Sequence, residues 1–163
     1  MNELSNSTAQ QTAVAPARLA ACMFTIGTTG MEYRRFVGLL RTHQIDAVID
    51  IRLRNEGPRY RFASGCHLRE LSASQGVQYR HEWRFAPTPE MLTQFRADHD
   101  WPPYVAQYGA LIESRNMLAI WREIAGTFER PCLLCSERSA RHCHRQLLAA
   151  ALADANGLTV THL

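Results

Sequence analysis

The sequence predicts a single-domain, Rossmann-like α/β fold, three layers built around a mainly parallel sheet. Three observations predict it. Short apolar runs of strand length alternate with longer stretches of helical periodicity, which is the pattern of parallel strands joined by right-handed helical crossovers. The chain has 163 residues, 46% of them apolar, enough to close one core without disulfide or metal staples. Charged residues make up 20%, an ordinary globular share, and no apolar run approaches the roughly 18 residues that span a bilayer.

Residues 1–21 are expected to form a disordered tail, leaving 22–163 as the domain. The tail is rich in Ser, Thr, Asn, Gln and Ala and offers too few large apolar groups to offset ordering entropy. It has neither the basic start nor the hydrophobic stretch of a secretory signal, so Leu19-Ala20-Ala21-Cys22 is not a lipoprotein cleavage box. Met23–Ile26 then reads as a strand ending at Gly27. Tyr33, Phe36, Val37 and Leu40 mark one face of a helix, with Thr28 or Thr29 as its cap and Glu32 at capping-box spacing. Ala47–Ile51 is a second strand, and Arg52–Arg61, with Gly57-Pro58, a loop. Cys66–Gln75 is a short helix stopped by Gly76, and Val77–Trp83 alternates as a third strand. The prolines around Thr88 and the pair Pro102-Pro103 bracket an irregular or weakly helical insertion. From Tyr104 the pattern is helical in two pieces meeting near Ser114–Asn116, with Met117, Ile120, Trp121, Ile124 and Phe128 as a core stripe. Cys132–Cys135 is a fourth strand. A helix carrying Leu147, Leu148, Ala151 and Leu152 closes at Asn156-Gly157, and Leu158–Leu163 is the last strand.

All 18 basic residues are arginine. That excludes Schiff-base lysine chemistry and any phosphate loop that depends on its own lysine. Five cysteines, an odd number spread over strand and helix patterns, predict reduced thiols and a cytoplasmic protein with no membrane partner. The net charge of +3 makes any case for nucleic acid a local one. Arg52, Arg54, Arg59 and Arg61 interleave with Tyr60 and Phe62, a pattern suited to phosphates and stacked bases.

In open parallel sheets ligands bind beyond the strand carboxyl ends. Gly27, Thr28, Asp50, Arg52, Arg84 and Cys135–Glu137 fall there, and Arg145 opens the helix that follows. Cys143 and His144 sit at that helix N-terminus, where free N–H groups favour an anion or a thiolate and Arg145 adds positive charge. A carboxylate, Asp50 or Glu137, or an incoming anion is the expected partner of Arg145. Cys135, Cys143 and His144, with Glu137, also make a metal site possible, although the spacing is not that of the close Cys pairs of structural zinc sites. Cys135 and Arg141 have the Cys-x5-Arg spacing of a tyrosine-phosphatase loop, but the segment lacks the glycines that curl such a loop around phosphate. Trp121 is read as core, while Trp83 and Trp101 are candidates for a pocket wall.

The segment from Cys135 to Arg145 resembles the family known as domain of unknown function 488. Its pattern is an apolar strand ending in Cys, a Glu two residues on, and Cys-His-Arg opening a helix, here Cys135, Glu137, Cys143, His144 and Arg145. Thr25-Ile26-Gly27, Asp50-x-Arg52 and a closing strand at Thr159–Leu163 with penultimate His162 extend the resemblance over about residues 23–163. The chain departs from it at Thr28-Thr29, where His-Ser is usual, and at His81-Glu82-Trp83, where His-Leu-Pro is usual. The resemblance implies a Rossmann-like fold and supplies no reaction.

Together these readings predict an anionic or phosphorylated ligand, nucleotide or nucleic acid foremost. Gly27, Thr28, Asp50, Arg52, Cys143 and Arg145 would bind it, and Cys135, Glu137 and His144 would stand near the reacting centre of a hydrolase or transferase that needs no cofactor. The alternatives are a non-catalytic nucleic-acid-binding module using the Arg52–Arg61 loop, or a Cys135/Cys143 redox or metal site. The redox site requires the two thiols to meet within disulfide reach.

Overall fold

A computed structural model describes residues 20–163, apart from the side chains of residues 58–60; the expected disordered tail lies, as far as residue 19, outside the described residues. The strands are β1 (Cys22–Gly27), β2 (Ala47–Asp50), β3 (Gln78–His81), β4 (Pro131–Cys135) and β5 (Thr159–His162). They form one sheet in the order β3-β2-β4-β1-β5, parallel at every pairing. β2 and β4 are buried at every position, so apart from Asp50 at the end of β2 they read as continuous apolar runs, whereas β3 at one edge exposes alternate residues.

The helices are α1 (Tyr33–Thr42), α2 (Gly65–Ser74), α3 (Pro89–Asp98), α4 (Trp101–Ser114), α5 (Met117–Ala125) and α6 (His144–Asn156). From β1 to β3 the chain moves one way across the sheet, and from β3 to β5 it moves back. Right-handed crossovers therefore place α1 and α2 on one face and α3–α6 on the other. Phe36, Val37, Leu40, Leu68 and Leu71 pack against Ile26, Val48 and Leu134 on the first face. Met117, Trp121, Leu148 and Leu152 pack against Met23, Ile49 and Leu133 on the second. Each fully buried large aliphatic side chain contributes roughly 1.5–3 kcal/mol of transfer free energy. Among the described residues no helix is long and apolar enough to cross a membrane.

Two local expectations are corrected. The insertion bracketed by the prolines around Thr88 and by Pro102-Pro103 is a regular helix, α3, and not irregular or weakly helical, because the prolines stand where a helix tolerates them. Pro89 opens α3 behind a Thr88 cap whose side chain accepts from the Met91 N–H, and Pro102 and Pro103 lie in the first turn of α4, where no N–H is needed. Neither Thr28 nor Thr29 caps α1: Glu32 is the capping residue, without a side-chain bond, and Thr28 is drawn instead to Cys135. The break between α4 and α5 falls where the periodicity puts it, at Arg115 and a left-handed Asn116. Gly157, with φ 66°, ends α6 as expected.

Candidate functional site

β1 and β4 end side by side, with Gly27 in register with Cys135. Beyond them the Thr28 N–H donates to the Cys135 carbonyl at 3.1 Å and the Thr29 N–H to that of Ser136 at 2.8 Å. The chain after β4 thus folds across the end of β1. A Cβ built on Gly27 would stand 1.8 Å from the Glu137 carbonyl oxygen, so glycine is required there for close approach and not for its φ.

The loop 136–142 returns to Cys143, the N-cap of α6, whose extended φ of −127° and ψ of 138° turn its sulfur back toward the strand end. The two Sγ atoms lie 3.5 Å apart, with Cys143 donating to Cys135. His144 Nδ1 is 3.8 Å from the Cys135 sulfur and 4.0 Å from that of Cys143. His144 Nε2 meets the Ile51 carbonyl at 3.2 Å. A carbonyl only accepts, so Nε2 carries a proton, and Nδ1 accepts from a thiol or, in the imidazolium, donates to a thiolate. All three side chains are buried.

The electrostatics decide between these states. The Cys143 thiol hydrogen bond holds the Cys135 thiol well below its ordinary value; burial opposes this, and His144 and the Glu137 N–H reinforce it. Cys143 is pushed up by the same bond and by burial. Burial works against protonation of His144, but the Cys135 thiolate outweighs it and raises the imidazole. The state so favoured is a Cys135 thiolate against a His144 imidazolium, with Cys143 as a neutral donor. The helix N-terminus was expected to ionise Cys143; the thiol is pushed up instead, because it donates to the Cys135 sulfur and one charge is shared by two thiols in contact.

Arg145 is 1% exposed. Among the described residues it pairs with neither Asp50 nor Glu137 as a carboxylate. Its guanidinium donates to the main-chain carbonyls of Glu137 and of Arg138 (3.1 Å), and to the Cys143 sulfur at 3.4 Å. It therefore fixes the loop over the thiols. Arg141, the arginine of the Cys-x5-Arg spacing, is exposed, as is the Glu137 side chain, so Glu137 enters the site through its main chain.

Asp50 and Arg52 form a second unit. The Arg52 guanidinium meets both Asp50 oxygens, at 2.8 and 2.6 Å, and the Ala63 carbonyl at 2.8 Å. The Tyr79 hydroxyl donates to Asp50 at 2.7 Å and the Asn55 amide at 3.3 Å. Burial, and then the Asp50 charge, push the Tyr79 hydroxyl above its ordinary range. His81 Nε2 reaches the Arg52 carbonyl. This buried cluster ties the start of the basic loop to β2 and β3 and withdraws Arg52 from the loop surface, where Arg54 and Arg61 remain exposed. Arg84, at the end of β3, is held by the buried Glu82 at 2.6 Å, and Trp83 is exposed.

An open cleft of about 820 Å³ runs along the ends of β1 and β4, lined by Thr28, Thr29, Tyr33, Arg61, Phe62, Arg96 and Ser136 among others. It passes the main chain one residue beyond Cys135. Tyr33 stands edge-on to Phe62 at its wall. Ser136 stands where the strand-end reading put it, while sequence reading missed Tyr33 and Arg96 as cleft residues; Tyr33 is spaced as a helix-face residue but is half-exposed. Under the thiols an aromatic column runs from Trp101 through Tyr104 and Tyr108 to His144, with ring centroids 5.3, 6.3 and 5.7 Å apart. Their i, i+3, i+7 spacing on α4 was the available signal.

The model of the family described as a domain of unknown function, DUF488, matches residues 32–152. That span takes in Asp50, Arg52 and the whole Cys135–Arg145 element, and leaves out Thr25-Ile26-Gly27 and the closing strand. No curated protein and no solved structure matches the chain.

Proposed function

The chain belongs to the DUF488 family, whose description carries no activity, and from the chemistry of its site we propose that it is a hydrolase or transferase acting on a phosphorylated ligand of nucleotide type, with Cys135 as nucleophile. The observation that carries this reading is the buried Cys135–His144 pair beneath a loop that borders an arginine-bearing cleft. A thiolate is the nucleophilic form of cysteine, and a neighbouring imidazolium both sustains it and holds a proton for the departing group. Attack by Cys135 forms the bond from sulfur to the ligand's electrophilic centre and breaks that to the leaving group, which takes the Nδ1 proton of His144. Water or an acceptor then releases the enzyme. Arg61 and Arg96 supply charge for phosphate, and Thr28, Thr29 and Ser136 supply hydroxyls. Tyr33 and Phe62 supply a stacking face.

Adenosine monophosphate should bind this cleft more tightly than inorganic phosphate by calorimetry. Changing Arg61 and Arg96 together to glutamine should weaken both by at least about tenfold. Both side chains are exposed, so stability should move by no more than about 0.5 kcal/mol per site. Unchanged affinity in the double variant would remove the cleft from the proposal. Tight binding of generic DNA or RNA with a steep salt dependence, lost on changing Arg54 and Arg61, would favour the nucleic-acid module instead.

One observation favours a second reading. The ligand atoms of Cys135, Cys143 and His144 lie within 4.8 Å of one another, and bonds of about 2.0–2.3 Å to a tetrahedral ion hold such atoms roughly 3.6–3.8 Å apart. Against it, the Arg145 guanidinium lies on the Cys143 sulfur and the α6 N-terminus adds a like-signed field. Metal analysis of protein purified from zinc-supplemented cells separates the two: one tightly held equivalent would make these residues ligands and end the nucleophile reading.

A further inference from the structure

We infer that Cys135 and Cys143 are the two halves of a reversible disulfide, formed when a peroxide oxidises Cys135 and Cys143 resolves the product. The inference rests on the proposed function only for its consequence, which is that oxidation removes the nucleophile.

The geometry selects this pair from the five cysteines. Its sulfurs are already in contact at 3.5 Å, and a disulfide at about 2.05 Å needs an approach of roughly 1.5 Å. That movement falls on Cys143, which stands before the first turn of α6 at the end of a mostly exposed loop. Cys132 is three residues before Cys135 on β4, an odd separation that puts it on the opposite face of the sheet, among Phe24, Ile26 and Leu134. Cys22 begins β1, at the other end of the sheet, and Cys66 is exposed on α2.

The chemistry closes without another residue. The Cys135 thiolate attacks hydrogen peroxide; an S–O bond forms, the O–O bond breaks, and the departing hydroxide takes the His144 proton and leaves as water. The sulfenic acid so formed is neutral. The charge that kept the proton on Cys143 is then gone, while the Arg145 guanidinium remains 3.4 Å from its sulfur, so Cys143 gives its proton to the His144 imidazole and becomes the thiolate. Its sulfur attacks that of Cys135, the S–S bond forms, the S–O bond breaks, and hydroxide leaves as a second water with the proton from His144. Two thiols lose two electrons and one peroxide gains them.

The test uses the full chain. Treat it with hydrogen peroxide, block free thiols with N-ethylmaleimide, and digest with trypsin, which cuts at Arg138 and Arg141 between the two cysteines. The expected result is a peptide pair linked through Cys135 and Cys143, lighter by two hydrogens and separated again by dithiothreitol. In Cys143→Ser the oxidation should reach a sulfenic acid that dimedone traps, and without dimedone it should pass irreversibly to sulfinic acid. Absence of the linked pair in the wild-type protein under conditions that oxidise the exposed Cys66 overturns the inference, as does linkage of Cys135 to any other cysteine. If the pair is absent while Cys135 still alkylates as a thiolate, the disulfide is lost and the proposed nucleophile stands.

Discussion

Replacing Asp50 with alanine should destabilise the protein by about 3–5 kcal/mol, the range for removing one partner of a buried ion pair. Asp50 is wholly buried and receives the Arg52 guanidinium, the Tyr79 hydroxyl and the Asn55 amide. Its loss leaves a buried guanidinium without its carboxylate and two donors aimed at a cavity. The same unit anchors the loop after β2 through Ala63, so the loop should loosen before the sheet does. Asp50→Asn should recover part of the loss, since an amide oxygen still accepts but carries no charge. Urea unfolding at neutral pH measures both. A midpoint for Asp50→Ala within experimental error of the wild type would contradict the role given to this cluster.

Arg145→Gln should cost about 3 kcal/mol and release the loop over the thiols. Two main-chain carbonyls, of Glu137 and Arg138, would lose the forked donor that holds them, and an acceptor left unpaired costs about 1–3 kcal/mol. The buried stem of the side chain is lost in part as well. Lysine should restore little, because one ammonium cannot reproduce a planar fork that reaches two carbonyls and a sulfur at once. Hydrogen exchange should rise first in residues 136–142 and only later in β4. Uniform exchange in wild type and variant would show that the loop holds itself.

The alternation of strands and helices was legible because the inner strands β2 and β4 are covered on both faces and, apart from Asp50 at the end of β2, are apolar throughout. The Cys135–Arg145 element was legible as a group, since the topology puts a strand end and the next helix start at one place. Its inner assignments were not. Which of two touching thiols ionises depends first on which donates to the other, here Cys143 to Cys135, and spacing along the chain carries no such information. Arg145 was expected to meet a carboxylate or an incoming anion; in the fold it takes loop carbonyls, which any sequence possesses. The cleft draws Arg61 from the loop after β2, Arg96 from α3 and Tyr33 from α1, three segments that meet only in the folded chain. The prolines of α3 and α4 misled because proline ends a helix from inside but begins one at its first turn.

The proposed chemistry requires Cys135 to be a thiolate at neutral pH, which its alkylation rate against pH reports. Label the reduced protein with iodoacetamide between about pH 6 and 8, and assign each cysteine by mass spectrometry. Cys135, whose thiol is held well below the ordinary range by the Cys143 hydrogen bond, keeps its thiolate to lower pH, so its rate should change far less over this range than that of an ordinary thiol. An unstructured cysteine-containing peptide in the same solution supplies the comparison: an ordinary thiol near 8.5 should speed up roughly 70-fold over the same interval. A Cys135 rate that climbs in parallel with that of the peptide, or a Cys135 that stays unlabelled while the peptide reacts, would contradict the nucleophile assigned here.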